Sequence, residues 1–122
     1  MPKGPTLVRG GHTAPLVSTL ITIATDDDLT PAIDIREAAF GGLIVPGTVN
    51  GTEITFLVAA TEDGTYVPLT DGNNSPIALT VTEATASGPP LPPELFAHNF
   101  FKLKTTTAQS TTDTQFIVEL KG

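Results

Sequence analysis

Between Ile54 and Leu69 the sequence ITFLVAATEDGTYVPL folds back on itself. Ile54, Phe56 and Val58 alternate with Thr55 and Leu57, and Tyr66-Val67-Pro68-Leu69 resumes the extended pattern after Asp63-Gly64. Asp-Gly tolerates the positive φ angles of a tight turn, so the stretch predicts a β-hairpin closed at those two residues. A strand pair cannot bury a face alone, so the rest of the chain has to supply more sheet.

It does so repeatedly. Leu16 to Ala24 is β-branched and alternating, with Leu20, Thr22 and Ala24 on one face and Ile21 and Ile23 on the other. Asp26-Asp27-Asp28 ends it, and Ile33 and Ile35 then alternate with Asp34 and Arg36. Phe40 to Pro46 is an apolar run flanked by glycine and proline, the pattern of a short strand buried on both sides. Ile77, Leu79 and Val81 predict another strand, Glu83 to Pro93 a long irregular connection, and Pro93-Glu94-Leu95-Phe96 a single helical turn, since proline suits a first helical position. Phe101 and Leu103 point inward between Lys102 and Lys104, and Phe116, Val118 and Leu120 close the chain. About eight short strands separated by turn signals predict an all-β fold, an antiparallel β-sandwich or jelly roll with an extended N-terminal arm.

Residues 1–15 are that arm. Pro2, Gly4, Pro5, Gly10, Gly11 and Pro15 block both helix and continuous ladder, leaving either a frayed end or a tether that orders against a neighbouring subunit through Leu7, Val8 and Arg9. Residues 16–122 then form a single sandwich domain, a size at which folding buries roughly two-thirds of the unfolded chain's surface. Phe40, Phe56, Phe96, Phe100, Phe101 and Phe116 are expected in the core. Phe100 and Phe101 are consecutive and face opposite sides, so one lies under the proline-rich loop or at a subunit contact, and Phe100 is the residue assigned to that contact.

Charge and motifs narrow the function by exclusion. A net charge of −7 with six scattered basic residues builds no cationic stripe for nucleic acid. The apolar runs fall well short of the ~20 residues that span a bilayer, and the amino end has no secretory apolar region, so a soluble chain without a membrane partner is expected. With no cysteine, thiolate metal sites and thiol nucleophiles are excluded. Asp26-Asp27-Asp28 is open to two readings, a calcium-binding loop completed by Asp71 or Asp113 or a solvated turn. His12 and His98 have no partner at a ligand spacing, and Glu53, Glu62 and Asp63 carry no signature of a catalytic carboxylate pair. Asn50-Gly51-Thr52 and Asn73-Asn74-Ser75 match the glycosylation pattern, as asparagine- and threonine-rich turns often do. No nucleophile, base, metal or cofactor motif is present, so the expectation is a non-enzymatic protein without cofactor.

The order DIREAAFGGLIVPGTVNGTEITFLVAATEDGTYVPLTD, then IALTV, LPPELFAHNFFKLKT and TQFIVEL, resembles small structural proteins of tailed-bacteriophage virions over about Ile33 to Leu120. Within it, ITFLVAATEDGTYVPL followed by FFKLKT is similar to discoidin and carbohydrate-binding jelly-roll modules, with Tyr66 where those modules often carry tryptophan. The virion resemblance implies a capsid decoration (cement) protein. It would be made in the host bacterial cytoplasm, bind the outside of the shell built by the major capsid protein, and contact neighbouring copies of itself, a trimer suiting the local threefold positions where such proteins sit. The carbohydrate-binding resemblance implies instead a tail, baseplate or fibre component that attaches to the host.

Overall fold

The computed structural model describes residues 16–110 and 112–122. Eight strands form two antiparallel sheets: β1 Leu16–Ile23, β2 Ile33–Asp34, β3 Phe40–Ile44, β4 Glu53–Ala59, β5 Val67–Pro68, β6 Ala78–Thr80, β7 Phe100–Thr105 and β8 Thr114–Lys121. One sheet has the order β1-β8-β3 and the other β2-β7-β4-β5, with β6 also pairing β4. A 3-10 helix, Pro93–Ala97, occupies the single helical turn expected there. The all-β sandwich is therefore the fold.

The pairing has a nested logic. β1 pairs β8, β2 pairs β7 and β4 pairs β5. The irregular segment between them completes the nest, because Ser87 and Pro90 bridge Val45 and Gly42 of the β3 region. Leu43 N–H donates to the Pro89 carbonyl at 2.9 Å, and Val45 and Ser87 exchange both backbone bonds at 2.8 and 3.1 Å. First with last, second with second-last and so inward is a long antiparallel ribbon rolled across two sheets, the jelly-roll arrangement.

Alternation decides which face each strand buries. Ile54, Phe56 and Val58 of β4 and Phe116, Val118 and Leu120 of β8 turn inward, against Ile21, Ile23, Ile33, Leu43, Phe101 and Leu103. Phe56 and Phe101 meet at 6.1 Å between ring centroids, tilted by 56°, a geometry that adds about 1 kcal/mol to the burial itself. At Gly41 the β3 backbone runs so close to the Glu119 carbonyl that any Cβ would collide with it, while Leu91 and Leu120 fill the space beside it. That close approach is what seats β3 on β8.

Three sequence expectations need correction. The β4–β5 hairpin exists, with Leu57 opposite Pro68 and Val58 opposite Val67, but it is not closed by a two-residue turn. Thr61 to Gly64 make a four-residue turn, Gly64 N–H to Thr61 carbonyl at 3.1 Å, and neither Asp63 nor Gly64 has positive φ. The apolar run from Phe40 to Pro46 is buried on one face only, since Leu43 and Val45 are inside while Phe40 and Ile44 face out. Phe40 accordingly leaves the expected core, and at 55% exposure it is among the most accessible large apolar side chains. The other sheet cannot reach it, because a strand offers alternate residues to opposite faces.

Candidate contact surface

Exposed large apolar side chains cluster on one sheet. Val17, Leu20, Phe40 and Ile44 all belong to β1 and β3, and Val67 of β5 is the other one among the described residues. The register explains the cluster. Leu20 and Ile44 both lie opposite Ile117 of the central strand, so the three make a straight apolar row across the outer face. Phe40 stands two rows further on, opposite Lys121. Between the two rows Ser18, Glu119 and Gly42 share a third, polar one.

Where this sheet begins, the described residues leave the sandwich open. Val17 points toward the core side yet is 49% exposed, and with Ala38 and Leu120 it floors a cavity of about 300 Å³ whose rim carries Asp34, Glu37 and Lys121. Asp34 is held by Arg36 through a two-pronged pair, Nε to Oδ1 at 3.0 Å and Nη2 to Oδ2 at 2.7 Å. That hydrogen bonding keeps the Asp34 carboxyl below the usual carboxylate range and raises Arg36. Both groups are more than half in solvent, or close to it, so the pair orients side chains more than it stabilises the fold. The same guanidinium lies 5.1 Å over the Phe100 ring. Phe100 is only 7% exposed and has little surface left to offer a neighbour. Leu7, Val8 and Arg9, the arm residues expected at a subunit contact, lie outside the described residues, as does His12.

The acidic triplet is a turn. Asp27 N–H bonds the Ala24 carbonyl at 2.9 Å, and Asp26 takes a φ of 71°, a conformation aspartate tolerates. Asp27 Oδ1 accepts from its neighbour's amide at 2.8 Å, and Asp28 pairs with Lys104 at 2.6 Å. Asp113 faces Thr25 instead, accepting from its amide and its hydroxyl, each at 2.8 Å, and these bonds hold its carboxyl below the usual range. Asp71 folds onto its own loop, accepting from Asn73 and Ser75. No group of three or more metal-ligating side chains is gathered among the described residues.

The remaining candidates are dispersed. Glu53 opens β4 and Glu62 and Asp63 follow its end, so the length of the strand, roughly 20 Å at 3.3 Å per residue, separates them. His98 sits exposed at the end of the 3-10 helix, its amide bonded to the Leu95 carbonyl. Lys102 covers one face of the Tyr66 ring at 4.4 Å, and the phenol donates to the Glu62 carbonyl at 2.9 Å. Burial and the neighbouring acids push that phenol above its ordinary pKa. A sugar would have to stack on the ring's other face.

One buried polar residue carries no local signal in the sequence. Gln109, in the threonine-rich connection between β7 and β8, is fully buried. Its Oε1 accepts from the Asn50 amide and the Thr114 hydroxyl, both at 2.8 Å. Its Nε2 donates to the Asn50 carbonyl, the Thr107 carbonyl and the Thr105 hydroxyl, each at 3.1 Å. Its backbone is bonded to Asp26 and Asp27. Side chain and backbone together make Gln109 a plug that ties three loops together, which needs no ligand to explain it. No helix among the described residues is long and apolar enough to cross a membrane. Comparison with known proteins returns nothing: no family model, no curated protein and no solved structure matches the chain.

Proposed function

We propose that this protein is a non-enzymatic structural component of a tailed-bacteriophage virion, a decoration protein that binds the outside of the capsid shell and stabilises it. The observation that carries this reading is the gathering of Leu20, Phe40 and Ile44 on the outer face of a single sheet of a sandwich whose polar loops are internally bonded. Such a face is a surface for protein contact, and its chemistry is apolar packing instead of catalysis. Residues 1–15 precede β1, and Leu7, Val8 and Arg9 are the contact residues this reading gives them. Many identical weak contacts on a repeating shell add up to firm attachment. The partners are the major capsid protein and neighbouring copies of this chain.

The test is cosedimentation of the purified protein with mature capsids that lack it, comparing the full chain with one that begins at Leu16. Stoichiometric binding that depends on the arm is the expected result. Absence of binding to heads, together with binding to tails or to glycans, would overturn decoration in favour of a tail component.

A further inference from the structure

Four strand edges bound the two sheets, and they are not alike. The far edge beyond β3 is the Ser87–Leu91 segment, where Pro89 and Pro90 lack amide donors. The edge beyond β7 runs through Asp28 to Asp34 and is interrupted by Pro31 and charged by Asp34 and Arg36. The edge beyond β4 is split between β5 and β6, two and three residues long, with Pro68 and Pro76 at their junction. Proline, charge and brevity are the usual means by which a sheet refuses a further strand. β1 has none of them. It is eight residues long, LVSTLITI, without proline or charge, and among the described residues nothing pairs its outer edge.

We propose that the β1 edge pairs antiparallel with β1 of a second copy about a twofold axis near Leu20, joining two three-stranded sheets into one of six. A strand on a twofold meets its own sequence reversed, so the surface must be self-complementary. With Leu20 opposite Leu20, Ser18 falls opposite Thr22, and every residue keeps its face. The outer apolar row Ile44–Ile117–Leu20 then continues into its own copy, and the exposed Leu20 side chains, at 58% the most accessible of the large apolar groups, cover each other.

The local charge distribution admits the same occupant despite the net charge. Two copies each carrying a net charge of −7 repel, and no acid lies between Met1 and Thr25. The polar row holding Glu119 aligns across the axis with the row of Thr22 and Gln115, so no like charges are opposed. Residues 1–15 carry Lys3 and Arg9 and no acid, and the chain enters β1 from the side on which the second copy places its Asp26-Asp27-Asp28 turn. A foreign strand would meet the bare edge equally well but would gain neither the continued row nor this complement. The pairing stands apart from capsid binding and is tested without capsids.

The test is sedimentation of the full chain over a range of concentrations, alone and with single substitutions. A dimer is expected for the wild type, a monomer for Leu20→Lys, and a dimer for Ile44→Lys, which charges the same face away from the edge. Thermal unfolding of the two variants shows that each is folded. Because the chain has no cysteine, Leu20→Cys gives a second readout, since residues directly opposite in a sheet have Cβ atoms about 5 Å apart. It should form a disulfide-linked dimer under mild oxidation, and Ile44→Cys should not. A monomeric or trimeric wild type, or a dimer indifferent to Leu20→Lys, would overturn the proposal. So would a monomer whose β1 amides exchange slowly and lose that protection when residues 1–12 are removed, because the edge would then be capped by its own arm.

Discussion

The two ends of the sandwich solve the same problem in opposite ways. At the end where β1 leaves the sheet, Gln109 ties the loops after β3 and β7 together through five side-chain bonds and holds the loop after β1 through its backbone, and no polar atom of its side-chain amide is left over. At the end where β1 begins, Val17 and Leu120 are left under a cavity of about 300 Å³ with a charged rim. Closing an end with hydrogen bonds fixes its loops in one arrangement, because each bond has a direction. An apolar opening has no such preference and accepts whatever chain or partner fits it. The difference separates an end that the described residues close from an end that they leave open.

Removing the plug is the strongest way to break that contrast. Gln109→Ala leaves the Asn50 amide and carbonyl and the Thr114 hydroxyl without their partner in a buried site, and a loss of about 3 kcal/mol is expected from urea unfolding. A loss under about 1 kcal/mol would mean that water replaces the amide and that this end is no more closed than the other. Thr114→Val is the finer cut. It keeps the shape and deletes only the hydroxyl that donates to Gln109 at 2.8 Å, so a loss of about 1 kcal/mol is expected in the same measurement.

How much of this was legible follows from what each side chain needs. The inward residues of β4 and β8 were legible because alternation and burial are the same fact seen twice, as Ile54, Phe56 and Val58 show. The hairpin was legible and its turn was not, since Asp-Gly serves a four-residue turn without positive φ as readily as a tight one. Phe40 was misplaced because an apolar run looks the same whether one face or both is covered. The pairing of β3 with Ser87–Pro90 was hidden by the prolines, which mark a loop in sequence yet still offer carbonyls to a neighbouring strand. Gln109 was invisible for a related reason. Polarity in a threonine-rich loop signals solvent, and only the folded chain brings Asn50 and Thr114 to it. Of the contact surface, the sequence showed an uncharged alternating β1, but not that the other edges are blocked.

Acid reads the closed end through one exposed carboxylate. Asp113 is held below the usual carboxylate range by the Thr25 amide and hydroxyl. A lowered folded pKa means that the bond stabilises fully above the unfolded value and fades as pH falls through the folded one. Asp113→Asn should therefore lower the unfolding midpoint at neutral pH by less than Thr114→Val does, and the gap from wild type should close in acid. A gap that persists in acid would assign the effect to shape and not to charge.

The smallest effect is expected at the open end. Val17 is 49% exposed, and truncation of a half-exposed side chain with no polar partner changes stability by about 0.5 kcal/mol or less. Val17→Ala should thus unfold at nearly the wild-type urea concentration while Gln109→Ala does not. The comparison is sharpest when the same substitution is repeated in a chain that begins at Leu16. If Val17→Ala costs more than about 1.5 kcal/mol in the full chain and little in the shortened one, Val17 is being covered by residues 1–15 of its own or another copy, since the two methyl groups removed carry that much only when buried. The open end would then be closed too, by packing where the other is closed by hydrogen bonds. Equal, small losses in both chains would leave Val17 as free surface, available to whatever the protein binds.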